Sequence, residues 1–438
     1  MKFILKRILP ILIFKFVTTL NAQSIYFPPN FSSVWDTIPP ANLGWCSQRV
    51  DSLTQYVQET NAKAFIILKD GKIVVEKYYG TFTKDSIWYW ASAGKSLASM
   101  LVGRAQQDGL LNLNDSVSKF LGTGWSSCLS QKEKLITVRD QLCMTTGLDD
   151  GVVNPDCTID TCLNYLADVG SRWAYHNAPY LLLHDVIEQA TGQTLQQYTN
   201  QKIKNQIGMQ SGWWYNGTFF STARDMARFG LLALANGNWN TNLTINNPPY
   251  INAMKNTSNL QNLSYGYLWW LNGKTSFMLP QSQIVFQGSL IPNAPSDMYA
   301  ALGKFDQKIY IVPSMNMVVI RMGIAATTNA LALSTFDNVL WEKIMNLNCN
   351  VSLDQIASQQ VILNCFPNPA KDELKVTGIK KDKQNDIIFL TNELGQTFYP
   401  EVISEKENEL MLSLKNHSPG FYILTIGSNR LKLIIERY

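Results

Sequence analysis

Histidine is scarce in this chain, with three residues among 438, and only His176 and His184 fall between residues 23 and 345. His184 sits inside the apolar run Leu181–Ile187, which reads as a packed core position. No Gly-x-Ser-x-Gly elbow occurs. A Ser-His-Asp hydrolase is therefore a poor fit. No Cys-x-x-Cys pair occurs either, and with so few histidines a zinc site is not expected; no metal and no cofactor is assigned. Charge is also sparse: charged residues make up 16% of the chain and hydrophobic ones 46%. That balance rules out a disordered or fibrous chain and predicts at least one large core, in a chain long enough for two or three domains. The net charge is +4, but Lys2, Lys6, Arg7 and Lys15 lie in the first twenty residues, and without them 33 basic side chains face 33 acidic ones. A neutral mature chain argues against nucleic acid as a partner and against charge-driven membrane association.

The two ends differ from the middle. Residues 1–22 read as a secretory signal: basic residues first, an apolar stretch from Ile8 to Leu20, then Ala22 before Gln23. No other run is long enough to span a bilayer, so an integral membrane protein is not expected. All twelve Trp lie between Trp35 and Trp341, and the last 97 residues have none. The shift coincides with a polar stretch, 346–364, that reads as a linker. Residues 365–438 then carry short β-type runs, Ile387–Thr391, Leu410–Leu414 and Phe421–Ile426, as expected of a small β-sandwich. Phe366-Pro-Asn-Pro369, Asn392-Glu-Leu-Gly-Gln396, Pro419-Gly-Phe-Tyr-Ile423 and the basic Arg430 and Lys432 make this segment similar to the C-terminal sorting domain of type IX secretion. The resemblance implies export across both membranes of a Gram-negative cell, the secretion machinery as a partner, and a secreted or cell-surface location. A carbohydrate-binding or spacer module is the other reading.

Seven cysteines leave at least one thiol unpaired. Cys157 and Cys162 are close enough for a small loop bridge, and Cys143 sits in an apolar run. In the middle of the chain, Ala64–Lys69 and Lys72–Lys77 flank an Asp-Gly turn and read as a hairpin. Helices are expected from Ser92 to about Gln107, from Pro179 to Gly192, from a Ser221 cap to Asn236, and over Ala330–Met345. Ile309–Val312 and Met317–Met322 read as strands. Strands early and late with helices between predict an antiparallel sheet drawn from both ends of the domain, with a helical insert.

Without a usable histidine, a serine can be activated by a lysine one helical turn away. Ser92-Ala-Gly-Lys95 has that spacing at a helix start, where the dipole favours an anion on Ser Oγ, and Gly94 leaves room for a substrate. Ser116-Val-Ser-Lys119 has the same spacing but stands in a loop-like stretch and reads as a decoy. Tyr175-His176-Asn177 precedes the Pro179 helix; a Tyr can exchange a proton with Ser, and an Asn can bridge Lys to substrate. Tyr-x-Asn also occurs at Tyr198 and Tyr250, so spacing alone does not choose among them.

Taken together, residues from about Leu43 to Ile344 resemble the serine β-lactamase-related family, which includes class C β-lactamases, penicillin-binding DD-peptidases and the 6-aminohexanoate-dimer hydrolases. Ser92 and Lys95 fall on its Ser-x-x-Lys motif, Tyr175 and Asn177 on its Tyr-x-Asn motif. Leu142-Cys-Met-Thr-Thr-Gly-Leu148, Ser221-Thr-Ala-Arg-Asp-Met-Ala-Arg-Phe-Gly230 and Tyr265-Gly-Tyr-Leu-Trp-Trp270 agree with it. The resemblance implies an α/β chain of α+β type: a β-lactamase/transpeptidase-like antiparallel sheet flanked by helices over 23–345, with a helical subdomain. It implies acyl transfer on a small ester, amide or peptide-like substrate, with Ser92 as nucleophile and Lys95 and Tyr175 as proton carriers.

The third motif departs from the family. Where Lys-Thr-Gly or His-x-Gly is usual, Gly303-Lys304-Phe305-Asp306-Gln307 stands. Lys304 matches the cationic position and would attract a substrate carboxylate; a solvated strand lysine is the other reading. By analogy, the oxyanion hole would use the N–H groups of Ser92 and Gln307. Asp306 replaces a glycine that lets substrate approach, and a carboxylate there could block it. That departure favours an esterase or amidase over a true β-lactamase. It also motivates an alternative, a non-catalytic ligand-binding protein on the same fold.

Overall fold

The computed structural model describes residues 25–438 apart from 328–332, 350–363, 379–387, 393–395, 407, 427–428 and 437–438. The segment read as a signal, most of the stretch read as a linker, and the start of the Ala330–Met345 helix therefore lie outside the described residues. The chain divides into two units, ending and starting at Cys349 and Asn350.

In the first unit, strands β1 (Ala62–Lys69) and β2 (Lys72–Tyr78) form the expected hairpin. Asp70 and Gly71 both take positive φ, 53° and 82°, the backbone of a primed two-residue turn. Gly71 is required for a second reason: a Cβ there would lie 1.9 Å from the Tyr26 carbonyl oxygen. Next come β3 (Ile87–Tyr89), β4 (Trp213–Tyr215), β5 (Thr218–Thr222) and β6 (Trp270–Leu271). The series ends with β7 (Tyr299–Gly303), β8 (Gln307–Val312) and β9 (Met317–Gly323). One antiparallel sheet runs in the order β2–β1–β9–β8–β7–β6, so its earliest and latest strands lie side by side. Strands β3, β5 and β4 form a small separate sheet.

Central strands buried on both faces read as continuous apolar runs rather than alternating ones. Phe65–Leu68 and Ile309–Val312 are such runs, and all are fully buried. Helices α1 (Ser47–Glu59), α2 (Gly94–Gln107), α3 (Asn177–Thr191), α4 (Ala223–Leu234) and α5 (Thr335–Met345) complete the frame. Helix α4 lies so close on the sheet that a Cβ at Gly230 would meet Val318 at 2.6 Å and Ile309 at 3.1 Å. Its cap differs from expectation. Thr222, not Ser221, accepts the Asp225 N–H, because the Ser221 hydroxyl is already committed, accepting from the Trp90 indole N–H and donating to the Thr222 carbonyl, both at 2.9 Å.

Residues 346–349, assigned by the sequence reading to the linker, are tied to this unit: Cys349 is disulfide-bonded to Cys46 across 303 positions, and Trp45 bridges to Asn348. Sequence spacing gave no sign of this pair. A link closing so long a loop restricts the unfolded chain. Cys46→Ser is expected to cost about 2–4 kcal/mol, seen as a lower melting temperature that reducing agent reproduces in the wild type but not in the variant. The Cys157–Cys162 bridge is present, and Cys143 is free and buried.

The second unit contains two four-stranded antiparallel sheets. They run in the order Asn364–Phe366, Glu373–Thr377, Glu409–Ser413, Glu401–Lys406 and in the order Thr397–Phe398, Ile388–Asn392, Gly420–Ile426, Asn429–Ile435. Leu374, Leu390, Leu412 and Leu424 meet in its core, as expected of a small sandwich.

Candidate active site

Ser92 sits in a one-turn 3-10 helix, Ala91–Ala93, that leads into α2. Ala91 holds a φ of 48°, a left-handed backbone that costs a non-glycine residue free energy and persists only where surrounding contacts impose it. Those contacts come from Trp90, whose N–H donates to the Phe219 carbonyl at 2.8 Å. One helical turn on, the Lys95 ammonium donates to Ser92 Oγ at 3.1 Å. Lys95 is almost wholly buried, and its Nζ stands over the rings of Tyr175 at 5.1 Å and Tyr180 at 4.3 Å. Loss of hydration lowers its pKa to about 7, against a smaller opposing pull from the Asp156 carboxylate.

Tyr175 closes the other side. It stacks on Trp270 at 5.8 Å and meets Trp173 and Tyr265 at 6.3 and 6.1 Å. Burial pushes its phenol well above the ordinary range, and contact with the Ser92 hydroxyl works in the other direction. The other two Tyr-x-Asn sites are committed elsewhere: Tyr250 donates to the Ser99 carbonyl at 2.6 Å, and Tyr198 is fully buried and bonds toward Asp108. In the second Ser-x-x-Lys, Lys119 pairs with Asp115 at 2.7 Å.

Ser92 opens into a cleft of about 460 Å³ lined by Lys95, Asp156, Asn177, Tyr180 and Lys304, with Asn216–Thr218 as a further wall. That wall is the tip of the β4–β5 hairpin, and the Tyr180 hydroxyl pins it by donating to the Gly217 carbonyl at 3.2 Å. Asn177 begins α3 and donates from Nδ2 to Asp156 at 2.7 Å, while its Oδ1 has no partner among the described residues. The Trp side chains near the motifs do not line this cleft; Trp90, Trp173, Trp269 and Trp270 are core. His184 is core as expected, against Tyr180 and Trp214, and burial lowers its pKa to about 3.

The third-motif segment is where the structure departs most from expectation. Residues 304–306 form the turn of the β7–β8 hairpin, with Gly303 paired to Gln307. Gly303 is the close-approach glycine: a Cβ there would lie 2.4 Å from the Trp90 carbonyl oxygen and 3.0 Å from the Ala93 nitrogen. The end of β7 thus abuts the Ser92 turn, and Lys304 follows it into the cleft. The Gln307 side chain does not reach the cleft. It is fully buried, its amide nitrogen donating to the Phe305 and Gly323 carbonyls at 2.8 and 2.7 Å. Asp306 does not block the cleft either. It is buried on the far side, accepting from the Ala326 N–H and Ser334 hydroxyl at 2.8 and 3.0 Å and pairing with Lys308 at 3.0 Å. Gly94 also has a different role from the one expected: its hydrogen faces Phe219 and Trp214, 3.5 Å from a notional Cβ, not a substrate.

Tyr180, Asp156 and the Asn216–Thr218 wall line the cleft without having been named as site residues from the sequence, and Gly303 acts from behind Lys304 by its contact with the Ser92 turn. A glycine preceding Lys304, and a tyrosine one turn after Asn177, were available as signals. Asp156 carries none beyond its place beside Cys157.

Comparisons with known proteins identify the family of each unit. Residues 51–345 match the β-lactamase family, and residues 364–436 match the secretion system C-terminal sorting domain. An uncharacterized protein of Alkalihalophilus pseudofirmus is 24% identical over 326 residues, covering 63% of this chain and 89% of its own. Among solved structures, a putative 6-aminohexanoate-dimer hydrolase from Bacillus anthracis is similar in fold (TM-score 0.53, 17% identity, 73% of this chain and 88% of that one). A putative β-lactamase from Bacteroides dorei is comparable (TM-score 0.54, 17% identity, 69% and 99%). No helix among the described residues is long and apolar enough to cross a membrane. The chain belongs to the β-lactamase family of serine hydrolases and ends in a sorting domain that directs it through type IX secretion to the cell surface or beyond.

Proposed function

We propose that this protein is a secreted serine hydrolase, made with residues 1–22 as an export signal, that cleaves a small ester, amide or peptide-like substrate through an acyl-enzyme on Ser92. The observation that carries this reading is the 3.1 Å contact between a desolvated Lys95 and the Ser92 hydroxyl at the floor of an open cleft. A lysine with a pKa of about 7 is substantially neutral at neutral pH and can take the hydroxyl proton. Tyr175, pushed the opposite way, keeps its proton and suits delivery to the leaving group.

In the first step Ser92 Oγ bonds to the substrate carbonyl carbon as its proton passes to Lys95. The oxyanion is held by the main-chain N–H of Ser92 and one from the β7–β8 hairpin end, which Gly303 brings against the Ser92 turn. The carbonyl then re-forms, the bond to the leaving group breaks, and the leaving group takes a proton from Tyr175, which regains one from Lys95. Water then bonds to the acyl carbon as one of its protons passes to Lys95, the bond to Ser92 Oγ breaks, and Oγ takes that proton back from Lys95 as the acid is released. Asn177, which lines the cleft beside Asp156, is read as the residue that positions the substrate. Similarity in fold to the 6-aminohexanoate-dimer hydrolase and to a hydrolase with acyltransferase activity supports an esterase or amidase. The ligand-binding alternative rested on Asp306 filling the cleft, and Asp306 lies elsewhere.

Mass spectrometry of the intact protein after incubation with activated esters and β-lactams tests the reading. One acyl adduct mapping to Ser92, absent in Ser92→Ala, is expected. No adduct and no turnover of p-nitrophenyl esters would overturn it.

A further inference from the structure

Apart from the buried Lys95, the cleft bears one exposed charge of each sign on different walls. Lys304 follows β7 on the sheet side; Asp156 stands on the loop that packs against the start of α3. Both side chains are exposed to the cleft. Asp156 is not a loosely tethered surface carboxylate. Its loop is closed by the Cys157–Cys162 bridge, its own N–H donates to Asn154 Oδ1 at 3.1 Å, and the Ala178 N–H of α3 donates to the Pro155 carbonyl at 2.9 Å. Asn177 holds one carboxylate oxygen, Oδ1. The other oxygen has no protein donor among the contacts of the described residues. Lys95 cannot take that place, because it is committed to Ser92 and enclosed by two aromatic rings.

A fixed carboxylate beside the reacting serine is a costly arrangement for a hydrolase of neutral or anionic acyl groups. It repels the developing oxyanion and opposes the depression of the lysine pKa. It is a useful arrangement if the substrate brings its own cation. We propose that Asp156 is a specificity-determining subsite for a free ammonium group close to the scissile bond, so that amino-acid esters and amides with an unblocked amine are the preferred substrate class. This rests on the hydrolase reading above and deepens it. Lys304, on the sheet side, disfavours the reverse placement of the cation and leaves the Asp156 wall as its position.

The test compares alanine p-nitroanilide, in both enantiomers, with isobutyric p-nitroanilide, in which a methyl group replaces the ammonium. At low salt the wild type is expected to favour one alanine enantiomer by roughly tenfold in kcat/KM, the scale of a single partly solvated charge pair. The ratio should fall toward unity in Asp156→Asn, which keeps an amide oxygen for Asn177, and should shrink with added NaCl in the wild type alone. A wild-type ratio near one, or a ratio that Asp156→Asn leaves unchanged while both rates fall together, would overturn the subsite and mark Asp156 as a support for Asn177 only. Equilibrium titration with alaninamide against isobutyramide needs no chemistry and separates the two readings. Acylation of Ser92 without preference for the amine sinks only the subsite; selective alaninamide binding without acylation sinks only the hydrolase.

Discussion

Replacing Lys95 with methionine is expected to cut kcat/KM for acylation by at least about a thousandfold, as for removal of a general base that acts as one unit with its nucleophile, and at the same time to make the protein more stable. The second effect follows from burial. Lys95 has a folded pKa of about 7 against an ordinary 10.5, and among the described residues it is paired with no carboxylate. A cation whose pKa is lowered by folding destabilises the fold. The penalty is absent above about 10.5, grows as pH falls toward 7, and is constant below that. The shift corresponds to about 5 kcal/mol at full size. Methionine fills a similar unbranched volume without a charge. Part of the gain is offset by the lost contacts to Ser92 Oγ and to the Tyr175 and Tyr180 faces. A net gain of about 2–4 kcal/mol at pH 6–7 is expected. Thermal melts should show the gap between variant and wild type widest below pH 7 and closing toward pH 10. In the wild type, kcat/KM should rise with pH through about 7 as Lys95 loses its proton. A Lys95→Met protein that melts lower than wild type at pH 6 would contradict the desolvated lysine.

Asp306→Gly is expected to destabilise the hydrolase unit and to leave turnover no higher. Two effects compete. Asp306 has a φ of 59°, and glycine would relieve a left-handed strain of about 1–2 kcal/mol. Against that, the substitution removes a fully buried carboxylate that pairs with Lys308 and accepts from Ala326 and Ser334. Breaking a buried pair costs about 3–5 kcal/mol, so the ionic loss wins by about 1–4 kcal/mol. Lys308 keeps Asp337 at 2.8 Å, which limits the damage. The expected readout is a melting point lower by several degrees with kcat/KM for p-nitrophenyl esters unchanged or reduced. A rise in kcat/KM would mean that the carboxylate had been obstructing the cleft after all.

These two residues show where sequence reading reaches and where it stops. Ser92 and Lys95 are three positions apart on one helix, so their meeting is a matter of local periodicity. The Asp-Gly turn between β1 and β2 is local in the same way. Asp306 was misplaced because its orientation depends on how long the β7–β8 turn is. A turn that ends β7 at Gly303 hands the cleft to Lys304 and faces the Asp306 and Gln307 side chains inward. A shift of one residue in a strand reverses every side chain, so the neighbourhood of a motif does not fix which of its residues faces the site.

The sequence by itself determined the chemistry available: an almost histidine-free hydrolase domain, a serine with a lysine one turn away, and a tyrosine–asparagine pair poised at a helix start. It also determined the C-terminal sorting module, whose strand runs are local patterns. The tertiary structure alone decided that Lys95 is stripped of water, that Gly303 presses β7 against the nucleophile turn, that Asp306 belongs to a buried ion network, and that Cys46 meets Cys349. Each of these depends on groups far apart in the chain sharing one small volume, and dielectric, steric closeness and charge pairing are properties of that volume rather than of any stretch of sequence.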